Sequence, residues 1–220
     1  MLSRRSFVRL LTVAAASAPL ATLVRHPALA DDGVDLEQAR ALVSAVAERG
    51  LQDVLTAPLP QAQKIERFRA LFDTYFDLPS AARFVLGRNW RSASAEEQER
   101  FVALFEDINI YTWARRFKDY NGQQLVLAGA TPDGPKGAYV ETKVEQGNGQ
   151  PPLLVRWRLR ARPDAQFGLL VVDLEVEGLS MALTYRSEYA SVIQNNGGSV
   201  SALNDILQQQ VERLKAEQPA

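Results

Sequence analysis

The sequence predicts an α+β domain, with N-terminal helices and two C-terminal helices packed on a curved antiparallel sheet of four to five strands. Three observations predict it. Apolar residues recur at three- and four-residue steps up to about residue 120. Beyond Asn121-Gly122 the period changes to two, across segments separated by turns rich in Gly, Pro, Asp and Asn. From about residue 188 the helical spacing returns. Helices first and a strand meander later give a layered fold in which helices cover one face of a sheet.

The elements follow in order. Asp35 is placed to cap a first helix whose apolar stripe is Leu36, Ala39, Leu42, Val43 and Val46. The segment TAPLP, Thr56 to Pro60, breaks it. A second helix carries Ile65, Phe68, Leu71, Phe72, Tyr75 and Phe76 on one face. Asp77-Leu78-Pro79-Ser80 starts a short third helix through Phe84, Val85 and Leu86, ended by Gly87. SAEE, Ser94 to Glu97, is a capping box in which each side chain satisfies the other residue's free amide. It opens a long helix with Phe101, Leu104, Phe105, Ile108 and Tyr111 inward. Strands are expected at about 123–129, 137–145, 152–162, 167–177 and 179–185, joined by TPDGPKG, QGNGQPP and RPDAQ. Two helices close the chain, at about 188–195 and 200–215, the second repeating Val200, Leu203, Ile206, Leu207, Val211 and Leu214.

The N-terminus stands apart. SRRSFVR is followed by an apolar stretch, Leu10 to Val24, and by HPALA with Ala28 and Ala30 in cleavage spacing. This is the architecture of an export signal cleaved after about Ala30, and Arg4-Arg5 followed by Phe7 gives it a twin-arginine look. An apolar stretch of 15 residues interrupted by Pro19 is short for a spanning helix. The expected organisation is therefore residues 1–30 as a cleaved signal and 31–220 as one periplasmic domain.

Removing the signal takes four of the 25 basic residues, none of the 26 acidic ones and the single histidine, His26, leaving a formal charge of −5. The mature chain then has neither His nor Cys. That excludes disulfides, thiol nucleophiles, Ser-His and Cys-His arrangements and the usual zinc sites. A net negative domain also argues against general affinity for nucleic acid or anionic membranes.

On the sheet, Arg156, Arg158, Arg160 and Arg162 alternate with Val155, Trp157 and Leu159. Glu141 and Glu145 share one face of the preceding strand, and Asp173, Glu175 and Glu177 one face of the following strand. Cross-strand ion pairs on a solvated outer face explain this better than a phosphate-binding ribbon. The expected inner face is Ala138, Val140, Thr142 and Val144, then Leu153, Val155, Trp157 and Leu159, then Leu170, Val172, Leu174 and Val176. Opposed to the aromatic helices, it forms a cup that either closes as a dry core or encloses an apolar pocket. The same residues line both, and on periodicity alone the plain core is expected.

The most chemical-looking stretch is LTYRSEYASVIQNNGG, Leu183 to Gly198. Ser187 is placed to cap a helix beginning at Glu188, Glu188 meets the helix dipole, Arg186 reaches back toward an acidic partner, and Gly197-Gly198 ends the helix. No general base stands near Ser187, so no catalytic residue is assigned. An enzyme using Asp173 and Tyr185 as acid and base is the alternative, and a partner-binding module with a closed core is a third reading. RRFKDY, Arg115 to Tyr120, puts positive charge at a helix C-terminus, where it is favourable; contact with a partner or a lipid headgroup is the other reading.

Several segments together resemble a known family. LPSAARFVLGRNW, SAEEQERFVALFEDI, VVDLEVEGLSMALTYRSEYASVI and NGG occur in matching order across the chain. They resemble the MlaC family, the toluene-tolerance proteins, which are periplasmic lipid-binding components of intermembrane phospholipid transport. The pattern is also similar to the hopanoid-associated HpnM branch. The motifs that carry the resemblance are Leu86, Gly87, Arg88 and Trp90; Asp173 and Gly178 in D-x-x-x-E-G-x-S; and Arg186, Ser187 and Glu188. The resemblance implies a non-enzymatic carrier with bound lipid as cargo and with no cofactor and no metal. Its partners would be a phospholipid or hopanoid-like lipid and the inner- and outer-membrane complexes of an ABC-type transport system, and the chain is expected to be monomeric. It turns the cup into a pocket, because burying acyl chains yields about 0.8 kcal/mol per methylene. The lipid-binding residues then expected are Phe72, Tyr75, Phe101, Phe105, Ile108, Val140, Val155, Trp157 and Val172. Two departures, Leu169-Leu170-Val171-Val172 before Asp173 and Asn89 in LGRNW, remove rings common in the family and leave a polycyclic hopanoid open as cargo.

Overall fold

The computed structural model describes residues 33–146 and 149–218. The expected export signal lies outside them.

Capping chemistry sets the helix starts. Helix α1, Leu36–Arg49, begins where the Asp35 carboxylate accepts from the amides of Glu37 and Gln38. It runs on into a wider π-type turn, Gly50–Leu55. Helix α2, Gln61–Tyr75, starts after Pro60, and α3, Leu78–Leu86, is capped by Asp77, which accepts from the Ser80 amide at 3.2 Å. Ser94 and Glu97 form the expected reciprocal box at the head of α4, Ala95–Ala114.

The sheet is an antiparallel meander in chain order: β1 Gln124–Pro132, β2 Gly137–Glu145, β3 Leu153–Ala161, β4 Leu169–Val176 and β5 Leu179–Ser180. Helices α5, Met181–Asn195, and α6, Val200–Ala216, follow. Helix α1 lies on β1 and β2, α2 on β4 and α4, α5 on β4 and α3, and α6 along α4. A single parallel bridge between Phe76 and Val171, with the Asp77 amide donating to the Val171 carbonyl at 2.9 Å, fastens the end of α2 to β4. Arg69 on α2 binds Glu106 and Asp107 on α4, and Lys215 on α6 also reaches Asp107 at 3.0 Å. Burial alone would lower the Arg69 pKa; hydrogen bonds to the two carboxylates outweigh that and hold it above its ordinary value.

Two sequence expectations are corrected. The fifth strand is two residues long, and α5 starts at Met181, not Glu188. Its cap is Ser180, whose hydroxyl accepts from the Leu183 amide at 3.0 Å. Ser187 and Glu188 therefore sit, exposed, in the middle of α5 and neither caps it nor meets its positive end. The helix wins because Ala182, Tyr185, Tyr189 and Ile193 face inward at three- and four-residue steps, an opportunity the short strand cannot match. Gly197 and Gly198, both at positive φ, end α5 as expected, with the Gly198 amide donating to the Ile193 carbonyl at 2.9 Å.

The second correction concerns β4. The β3–β4 register shifts between Arg158 and Leu159, so that Asp173 pairs with Arg158 and Val171 with Leu159. Val172 is the extra residue of this bulge, and the side-chain alternation is re-phased there. Leu169 and Val171, 3% and 1% exposed, face the core in place of the expected Leu170 and Val172, while Leu174, opposite Trp157, packs against the core as expected.

The arginine face is covered by neighbours. Arg156 pairs with Glu175 at 2.5 Å, and Arg158 and Arg160 both bind Asp133 from the β1–β2 turn, at 2.7 and 2.6 Å. The Arg156 guanidinium stacks 4.3 Å from the Tyr139 ring centre. Gly137 suits this turn, because a Cβ at that position would sit 2.9 Å from the Asp133 backbone carbonyl as well as against the Arg160 guanidinium. Burial would raise the Asp133 pKa, but the two guanidinium bonds hold it below its ordinary value.

Candidate functional site

Between α1 and the first three strands the layers do not close. A cavity of about 970 Å³ lies there, at the large end of the range for small-molecule sites. One wall is the end of α1 and the π-type turn, which present Val46, Ala47, Leu51, Val54 and Leu55. Widened helical turns of this kind recur at functional sites. The facing wall is sheet: Leu125 and Leu127 of β1, Val144 of β2, and Leu153 and Trp157 of β3. Phe68 from α2, Trp113 from the end of α4 and Phe117 just beyond it complete the lining. Glu48, Arg116, Asp119 and Gln124 also line the cavity and are exposed, so a charged and polar mouth surrounds an apolar interior.

Hydrogen bonding fixes the walls. Trp157 is 7% exposed; its indole Nε1 donates to Thr142 Oγ1 at 3.0 Å, and that hydroxyl donates to the Val155 carbonyl at 3.0 Å. With its polar atom satisfied inside the sheet, the ring offers only apolar surface to the cavity. Rings also run along the wall: Phe117 to Phe68 at 5.1 Å, Phe68 to Phe72 at 4.8 Å, Phe72 to Phe76 stacked at 4.2 Å, and Phe76 to Trp157 at 6.3 Å.

Behind these rings lies a second cavity of about 50 Å³, among α2, α3, α4, α5 and β4. Trp113 lines both cavities.

The residues expected from the sequence divide among three places. Trp157 lines the large cavity, and Phe72, Phe105 and Val172 line the small one. Tyr75, Phe101, Ile108 and Val140 are buried in the core and Val155 is half-buried beside them; none of these five lines either cavity. The large cavity draws mainly on residues outside that set, such as Val54, Phe117, Leu125 and Val144. A sequence signal for them existed in the break at TAPLP, immediately after Val54-Leu55, and in Phe117 inside the basic RRFKDY cluster.

The residues with catalytic chemistry are occupied. Asp173 Oδ2 accepts from the Ser180 hydroxyl at 2.5 Å and Oδ1 from the Ala182 amide at 2.9 Å, so the carboxylate ties β4 to the first turn of α5. Glu177 and Gly178, at φ 51° and 80°, form the two-residue turn between β4 and β5, and Glu177 accepts from the Leu154 amide at 2.6 Å. The D-x-x-x-E-G-x-S pattern is thus one hydrogen-bonded corner. Tyr185 lies edge-on to Phe105 at 5.6 Å. Burial, helped by the nearby Glu188 charge, raises its hydroxyl pKa; burial raises that of Tyr189 as well.

The other motif residues are architectural too. Among the described residues Arg186 has no acidic partner: it lies over the Phe84 ring at 4.9 Å and donates to the Phe84 carbonyl at 3.3 Å. Gly87, at φ 59°, lies beneath it, and a Cβ there would sit 3.1–3.2 Å from the guanidinium. Leu86 is buried, the Trp90 carbonyl accepts from Gln98 at 2.7 Å, and Arg88 is exposed. Among the described residues, no group of three or more acidic, His or Cys side chains is placed to hold a metal ion, and no helix is long and apolar enough to cross a membrane.

Comparison with known proteins resolves what this fold belongs to. The family described as MlaC protein matches residues 45–209, well over half of the sequence and nearly every element just described. The chain belongs to the MlaC family. The fold agrees: a solved structure of a phospholipid-binding protein from Ralstonia solanacearum, in complex with a phospholipid, matches with a TM-score of 0.69 at 23% identity. The match covers 80% of this chain and 98% of that one. The MlaC motifs LGR-x-W, D-x-x-x-E-G-x-S and R-S-E all map to the α3–α5–β4 corner. The large cavity lies outside that corner.

Proposed function

We propose that this protein is a periplasmic lipid carrier that takes the acyl chains of a phospholipid into the large cavity and leaves the headgroup at its mouth. One observation carries the reading: an apolar cavity of about 970 Å³ opening past charged residues. A ligand with an apolar body and a charged end matches that division, and each methylene moved from water to the cavity contributes about 0.8 kcal/mol. Membership of the MlaC family and the phospholipid bound by the Ralstonia protein of the same fold support the cargo. In this reading, residues 1–30 direct export and are removed after about Ala30. The mature monomer then exchanges lipid with inner- and outer-membrane complexes of an ABC-type transport system, without catalysis.

The test is native mass spectrometry of the purified mature protein, followed by extraction and identification of what it carries. Stoichiometric diacyl phospholipid is the expected result. A hopanoid in its place would keep the carrier and change the cargo. A protein that is empty, and that takes up neither lipid from vesicles, would overturn the reading.

A further inference from the structure

The ring wall between the two cavities is one side chain thick at Trp113 and two rings thick at two further points. Trp113 lines both spaces. Phe68 on the large side touches Phe72 on the small side, with ring centres 4.8 Å apart. Phe76 on the small side faces Trp157 on the large side at 6.3 Å. The other members of the wall are held: Phe72 and Phe76 stack in parallel at 4.2 Å, and Trp157 is pinned through its indole nitrogen to Thr142. Trp113 differs from them. It is only half-buried and its indole nitrogen has no hydrogen-bond partner among the described residues; the Arg116 guanidinium lies 5.9 Å from its ring centre.

Building on the carrier reading, we propose that Trp113 is the stop that sets how long an apolar tail the large cavity accepts. The small cavity beyond it is a reserve compartment for the end of an acyl chain. Its lining is mostly apolar. Three polar members of the lining are engaged by protein: Asn109 with the Phe105 carbonyl, Asp173 with the Ser180 hydroxyl and Ala182 amide, and the Asp77 carboxylate with the Ser80 amide and the Arg162 guanidinium. A hydrocarbon end therefore meets few unsatisfied groups there, whereas water needs two to four polar partners to be held. With the indole in place the two spaces are separate; with the ring removed they join, and the joined space is longer on the side away from the charged mouth.

The experiment compares chain lengths of bound phospholipid in wild type, Trp113→Ala and Trp113→Phe, each exported by the same cells and read by native mass spectrometry and lipid extraction. The Trp113→Ala protein is expected to shift its cargo toward longer chains by at least two carbons. Trp113→Phe should shift it less. Adding Ala81→Phe, which fills the small cavity from α3, to Trp113→Ala should return the wild-type distribution. Folded Trp113→Ala and Trp113→Phe proteins loaded with the wild-type chain lengths would overturn the stop while leaving the carrier intact. If Trp113→Ala fails to fold, Trp113→Phe decides by the same criterion. An empty wild-type protein that refuses phospholipid would overturn the carrier reading and this inference with it.

Discussion

The β4–α5 corner and the cleft beneath α1 are built from opposite materials. At the corner nearly every polar atom is used. Asp173 accepts twice, the Ser180 hydroxyl both donates to Asp173 and accepts from Leu183, and Thr184 Oγ1 donates to the Ser180 carbonyl at 2.8 Å. In the cleft the reverse holds: Val126 and Leu127 line it while still 46% and 38% exposed, apolar surface left open to solvent. A soluble domain leaves contiguous apolar surface uncovered where something else is to cover it. The comparison teaches that residues with reactive side chains can be consumed by architecture, while the surface proposed to bind lipid has almost no chemistry to notice.

This contrast breaks if substitutions at the corner change lipid loading or substitutions in the cleft change only stability. The largest stability effect is expected from Asp173→Ala, which strands the Ser180 hydroxyl and the Ala182 amide and should cost about 1–3 kcal/mol. A thermal melt should register that as a fall of several degrees, at about 2–4 °C per kcal/mol for a domain of this size. Lipid bound per folded molecule should not change. Val144→Asp places a charge in the half-buried cleft wall; lipid occupancy after extraction should fall about tenfold or more, equivalent to about 1.4 kcal/mol, with little change in the melt.

A smaller effect separates the two candidate caps. Ser180→Ala should cost about 1 kcal/mol, and Ser187→Ala, exposed in mid-helix, should stay within about 0.5 kcal/mol. Equal losses at both positions would contradict the observed start of α5. The least visible effect near neutrality is alkaline. Tyr185 and Tyr189 have raised pKa values in the fold, so the unfolded chain loses those protons first. Their contribution is fully present below the ordinary tyrosine value of about 10 and is lost as pH rises through it toward the folded values. Denaturant melts between pH 9 and 11 should show Tyr185→Phe losing less stability than wild type.

The helices up to Ala114 were legible because their information is local: Asp35, Asp77 and the Ser94–Glu97 box are read from spacing alone. The inward faces of β2 and β3 were legible from alternation. Beyond β3 the decisive facts are tertiary. The bulge that moves Val171 inward and displaces Val172 leaves no mark on the periodicity of LLVVDLEV. Likewise, Met181 to Tyr185 continues an apolar run read as strand although Met, Ala and Leu favour helix, and Asp173, eight residues before Met181 in the chain, holds the helix's first turn. The pocket was legible as a property and not as a place. Phe101, Ile108 and Val140 were indistinguishable in pattern from cavity residues, and only packing shows that the layers close over them and part at Val54, Val144 and Phe117.

The most direct test uses the protein's own tryptophans. Trp113 and Trp157 line the large cavity and Trp90 lines neither cavity, so in a Trp90→Phe variant the remaining fluorescence comes from the cavity walls. Delipidated protein titrated with phospholipid brominated along its acyl chains should lose that fluorescence saturably, reaching its end point at a fixed lipid-to-protein ratio. Quenching that is absent, or that rises without saturation as for random encounter, would contradict the claim that acyl chains occupy this cavity.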